Sequence, residues 1–142
     1  MKTAIRYYSR FGHTKTMAEA VKDIVGATPH DTSHPLDEPV DVLFLGAGVM
    51  MGKVDKSVFS FIKTLSPERV RRVVCFGSSA IIPSPVPQMK RALEAAGVTV
   101  DERSFSCPGS MGPIKSGHPN DIDIDGFKSF TADILKTTIS DW

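Results

Sequence analysis

Cysteine is scarce: Cys75 and Cys107 are the only two in 142 residues. Two thiols in apolar, strand-like surroundings make neither a disulfide framework nor a metal cluster, and a reducing cytoplasm is the expected setting. Long apolar runs are lacking as well. None approaches the ~18 residues that a membrane span needs, so no membrane association is expected. An apolar strand pattern beginning by Ala4 predicts no secretory leader. An excess of one charge is also missing. Seventeen Lys and Arg against sixteen Asp and Glu give a formal net charge of +1, which makes no case for a nucleic-acid partner. What remains is an ordinary globular composition, 41% hydrophobic and 23% charged. The length suits one domain over residues 1–142, burying ~68–70% of its extended surface.

Four apolar segments read as strands, at residues 4–8, 42–46, 73–77 and 98–107. The middle two are continuous apolar runs, as expected of parallel strands covered on both faces. Helical patterns follow at 14–25, at 54–65 and from Val86 to about Ala96, with a last one from about Asp121 to Ile139. Gly26 and Gly97 are placed as C-terminal stops. A second strand is hard to find: residues 28–34 are polar and include Pro29, which suits a short edge strand or a loop. Alternation of strand and helix predicts an α/β fold. Its core is a doubly wound, five-stranded parallel sheet in the order 2-1-3-4-5, with helices on both faces and a short or irregular second strand. Arg6, in the middle of the first strand, is the misfit; it is placed as snorkelling past the sheet edge if strand 2 is short.

The stretch Tyr7-Tyr8-Ser9-Arg10-Phe11-Gly12-His13-Thr14-Lys15 joins the first strand directly to a helix bearing Met17, Ala18, Val21, Ile24 and Val25 on its apolar face. A loop of this kind is a natural phosphate cradle. First-turn N–H groups point outward, and the helix dipole favours an anion there. Ser9 and Thr14 add hydroxyls, and Gly12 lets the backbone approach closely. The plainer alternative is that the two hydroxyls only cap the helix. In a doubly wound sheet a ligand sits beyond the carboxyl ends of strands 1 and 3. There the first loop meets those at 47–53 and 78–85, with 108–117 on the same edge.

Two other nucleotide or metal sites fail on their residues. Gly46-x-Gly48-x-x-x-Gly52 lacks the dinucleotide spacing, and the next strand ends Cys75-Phe76-Gly77-Ser78 with no carboxylate for a ribose. A receiver-type magnesium site needs carboxylates at the ends of strands 1 and 3, where Ser9 and Ala47 stand.

The aromatic strand, Ser-x-x-Gly-x-Thr and immediate Ala/Val-rich helix closely resemble the FMN phosphate loop of flavodoxins. The likeness extends over nearly the whole chain. Residues 41–46 look like the family's third strand, 54–65 like its following helix, and Phe76-Gly77-Ser78 like the end of the fourth. The run Gly117-His118-Pro119-Asn120-Asp121, with no insertion in strand 5, is similar to short-chain members. The resemblance implies non-covalent FMN and low-potential electron transfer to redox partner proteins. It places the phosphate on Ser9, Gly12, His13 and Thr14, within a loop that also holds Arg10 and Phe11. The second loop, Ala47, Gly48, Val49, Met50, Met51 and Gly52, and the third, Gly77, Ser78, Ser79 and Ala80, would line the ring and ribityl chain. In the family a peptide beside a glycine turns its carbonyl toward the ring; Gly52 matches best and Gly48 is the alternative.

Departures from the family are also specific. Phe11 stands where a hydroxyl is usual and His13 where Asn is usual. Met50 and Met51 replace an aromatic on one ring face, and Ser79, Ala80, Ile81 and Ile82 offer none on the other. Near-zero net charge, with Arg10, Lys53, Lys56 and Lys115 near the site, contrasts with the acidic surfaces common in flavodoxins. Two alternatives to an electron carrier therefore stay open. One is an FMN-dependent NAD(P)H or quinone reductase; the other is a flavodoxin-like binding module that has lost the flavin. Trp142, the single tryptophan, is expected at the surface or fraying.

Overall fold

A computed structural model describes residues 1–50, 53–79, 84–108 and 119–141, with only the backbone of Met50 and residues 139–141. Its strands are β1 (Thr3–Tyr7), β2 (Pro29–Asp31), β3 (Val40–Met50), β4 (Lys53–Val54), β5 (Val70–Ser79) and β6 (Phe105–Pro108). The helices are α1 (His13–Val25), α2 (Lys56–Ile62), α3 (Val86–Ala95) and α4 (Asp121–Asp141). Five strands pair in parallel in the order β2-β1-β3-β5-β6, the expected topology, while β4 turns back antiparallel on the end of β3.

Alternation along the strands builds two cores. Ala4, Leu43, Leu45, Ala47, Val73 and Cys75 face α2 and α3, where Val58, Phe61, Met89 and Leu93 cover them. Ile5, Val42, Phe44, Val74, Phe76 and Cys107 point the other way, against Met17, Val21, Phe127 and Ile134 of α1 and α4. On α1 the buried stripe is Thr14, Met17, Ala18, Val21 and Val25. Ile24, expected on that face, is 39% exposed and lies off it. Phe76 shows how tightly the sheet is filled. A side chain at its neighbour Gly46 would come within 2.3 Å of the Phe76 ring, and that ring packs 4.8 Å from Phe127.

Several elements differ from expectation for visible reasons. β3 and β5 run on past residues 46 and 77, because Ala47↔Gly77 and Gly48↔Ser78 continue the ladder. Ala47, Gly48, Val49 and Met50, and likewise Ser78 and Ser79, are thus strand residues rather than loop. α2 begins at Lys56 instead of Val54. Val54 belongs to β4, and the Asp55 carboxylate caps the helix by accepting the Ser57 N–H at 2.9 Å. The segment 98–107 is broken: Val100 bridges Val73, residues 101–104 leave the ladder, and β6 starts at Phe105. Asp101 causes the break. Its buried carboxylate accepts from the Arg103 N–H (2.9 Å), from Arg103 Nε (3.0 Å) and Nη2 (3.0 Å), and from Arg72 Nη1 (3.3 Å). β2 is the short edge strand foreseen, with Pro29 as its first residue. Arg6 does not snorkel past it to solvent: it stays buried at 6% exposure, donating to the carbonyls of His34 (2.8 Å), Ile5 (3.0 Å) and Pro35 (3.3 Å). Burial lowers its pKa, and Asp37 opposes the shift.

Candidate functional site

β1 ends beside β3, where the Tyr8 N–H donates to the Gly46 carbonyl at 3.0 Å, and the chain then crosses the carboxyl edge of the sheet into α1. Gly12 is the N-cap of α1 at φ 87°, a left-handed conformation that side-chain-bearing residues adopt at a cost of about 1–2 kcal/mol. No side chain caps this helix, and its first turn holds no acidic residue. Ser9 lies just before it. Its Oγ is buried and has no hydrogen-bond partner among the described residues. A buried hydroxyl costs about 1–3 kcal/mol unless it finds a partner. A phosphate group fits, since it accepts from hydroxyls and complements the positive end of a helix.

Arg10 and Phe11 face outward. Phe11 is 55% exposed, the Arg10 guanidinium lies 5.8 Å from the centre of its ring, and the His13 ring is 6.3 Å from it. Arg10 and Lys15 are exposed. Thr14 behaves differently: it is buried, and its hydroxyl is paired with that of Ser78 at 3.1 Å. Beside the pair runs Gly48, whose φ lies outside the positive region that a flipped peptide often needs. Gly77 is required by space. A Cβ there would stand 2.3 Å from the Ala47 carbonyl oxygen and 2.4 Å from Pro85 Cγ. The structure thus gathers Ser9, Gly12, Thr14, Gly48 and Ser78 at the ends of β1, β3 and β5. Ala47 is fully buried in the α2–α3 core, Val49 pairs with Val54 of β4, and Ser79 pairs with Pro108. Met51, Gly52, Ala80, Ile81, Ile82, Lys115, Gly117, His118 and Trp142, the loop segment 109–117 and the side chain of Met50 lie outside the described residues.

Two tethers around the site carry no motif by which sequence alone reveals them. Thr32 Oγ1 reaches Ser57 Oγ at 3.4 Å, and Ser84 Oγ pairs with Ser106 Oγ at 3.1 Å. Hydrogen bonds from Ser57 hold the Asp55 carboxyl below its ordinary value. The thiols take no part: burial pushes both Cys75 and Cys107 up to about 12. Among the described residues there is no cluster of three or more metal-ligating side chains, and no helix is long and apolar enough to cross a membrane.

Sheet order, helix placement and a loop at the carboxyl edge of β1 and β3 define a flavodoxin-like α/β protein, and comparison with solved structures gives the same fold. A flavodoxin from the domain Archaea superposes with a TM-score of 0.75 at 19% identity, covering 96% of this chain and 98% of that one. Flavodoxin 2 from Bacillus cereus gives 0.73 at 15% identity, covering 96% and 99%. A flavoprotein from Lactobacillus acidophilus, solved in complex with FMN, gives 0.61 at 18% identity over 74% of this chain and 91% of its own. In sequence, an uncharacterized protein of Methanocaldococcus jannaschii is 26% identical over 152 aligned positions, covering 96% of this chain and 99% of its own. No family model matches the chain.

Proposed function

We propose that the protein binds FMN non-covalently and carries electrons between redox partner proteins. One observation carries this: the buried, unpartnered Ser9 Oγ beside the uncapped start of α1. In this site Ser9, Gly12, His13 and Thr14 hold the phosphate, and Arg10 and Lys15 add positive field. Gly48, Val49, Met50, Met51 and Gly52 on one side, and Gly77, Ser79 and Ala80 on the other, border the ring and ribityl chain. Bound FMN supplies reversible electron uptake; the chain supplies binding, orientation and exclusion of water. The shared fold with flavodoxins and with an FMN-bound flavoprotein supports the reading.

Calorimetric titration with FMN and with riboflavin tests it. FMN is expected to bind at least roughly tenfold more tightly, the worth of one or two charge-assisted hydrogen bonds. Comparable dissociation constants for the two flavins would overturn the phosphate assignment. On the partner side, Arg10, Lys53 and Lys56 are exposed in or beside the loops of the site. A surface of this sign around the loops favours a partner with acidic side chains at its docking face.

A further inference from the structure

We infer that Ser78 positions the phosphate end of the site, through Thr14, rather than lining the flavin ring; the inference rests on the FMN reading above. Alternation along β5 sets the direction. Val74 and Phe76 face α1 and α4, whereas Val73 and Cys75 face α2 and α3. Ser78 continues the first series, which aims its side chain beneath the start of α1. There it meets Thr14, the second residue of that helix, with the hydroxyl oxygens 3.1 Å apart. Both residues are buried, Thr14 at 1% and Ser78 at 5% exposure. Gly48 adds no side chain over the pair; a Cβ there would stand 3.7 Å from Thr14 Oγ1 and 3.8 Å from Ser78 Oγ.

Only one hydrogen lies between two bonded hydroxyls, so the second hydrogen needs another acceptor. With Ser78 as donor, the remaining O–H belongs to Thr14. It then sits on the first turn of α1, the turn that closes over the Ser9–Gly12 loop, where a phosphate oxygen satisfies it. With Thr14 as donor, the remaining O–H is held on β5, away from that turn. The first arrangement leaves the anion one more donor and fixes its direction before binding. Ser78 touches no ligand atom in this scheme; it sets which way Thr14 donates.

Titration of FMN and riboflavin into wild type, Ser78→Ala, Thr14→Val and the double variant tests this, with phosphorus NMR of bound FMN. Ser78→Ala should weaken FMN by roughly tenfold and leave riboflavin within about twofold. In the Thr14→Val background it should have no further effect, since the acceptor is gone. The bound phosphorus resonance should move in Ser78→Ala. Riboflavin affinity serves as the folding control, and Ser78→Cys, which keeps the volume with a weaker donor, should fall between. Equal losses of both flavins in Ser78→Ala and Ser78→Cys would overturn the inference and return Ser78 to the ring. So would full additivity with Thr14→Val, or no loss at all. Failure of wild type to distinguish FMN from riboflavin overturns the phosphate assignment itself, and is read before any variant is made.

Discussion

At the scale of single residues, the polar groups that sit inside the fold matter most. Asp101 is the clearest. Burial raises its carboxyl pKa, but hydrogen bonds from Arg103 and the charges of Arg103 and Arg72 outweigh it, holding the group below its ordinary 3.8. A depressed carboxyl stabilises the fold above its unfolded value, and that contribution is lost as pH falls through the folded value. Asp101→Asn is therefore expected to lose about 1.5–3 kcal/mol near neutrality. In urea unfolding, the gap to wild type should close toward about pH 2; a gap independent of pH would count against this account. The thiols give a second prediction. With Cys75 and Cys107 pushed up to about 12, neither should react with a thiol reagent in the native protein at about pH 8. Both should react once denaturant is added, and prompt native-state labelling would refute it. Arg6 was legible as a misfit in a central strand, but it does not snorkel past the edge: it stays buried on the carbonyls of His34 and Pro35, partners that depend on how the loop after β2 is laid down.

Elements were easier to read than their ends. Continuous apolar runs mark β3 and β5, and the helix pattern from Met17 to Val25 marks α1, since period alone distinguishes them. Boundaries depended on partners. β5 continues through Ser78 because β3 lies beside it, and the segment from Val98 is broken because Asp101 finds Arg72 and Arg103. The sequence of strand, hydroxyl, glycine and helix over residues 3–25 was legible. The inward turn of Thr14 was not, because Ser78 lies 64 residues away. Caps belong to this scale. Asp55→Ala removes the side-chain acceptor that caps the start of α2 and should cost about 1 kcal/mol, read from the thermal midpoint. Gly12→Ala should cost about 1–2 kcal/mol through its left-handed φ, although a Cβ there meets nothing within 4 Å. A destabilisation by Asp55→Ala as large as a core cavity, ~3 kcal/mol or more, would contradict a role confined to capping.

Over the whole molecule, near-neutral net charge is met by both signs at the carboxyl edge. Arg10, Lys15, Lys53 and Lys56 are exposed near the ends of β1 and β3, and Asp121 and Asp125 at the start of α4. Stopped-flow reduction should be slow with a reductase whose docking face is basic and fast with one whose face is acidic, and salt should weaken the fast case. Lys53→Glu with Lys56→Glu should reverse the preference; rapid, salt-weakened exchange of wild type with the basic reductase would contradict it. The bond between Thr14 and Ser78 also bears on the order in which the protein is made. Helix α1 leaves the ribosome early, yet its Thr14 hydroxyl has no anchor until β5 has been synthesised and has docked beside β3. A growing chain that stops short of β5 therefore carries the pattern of residues 9–14 without its cross-sheet anchor, and under the FMN proposal binding would come only after the sheet is assembled.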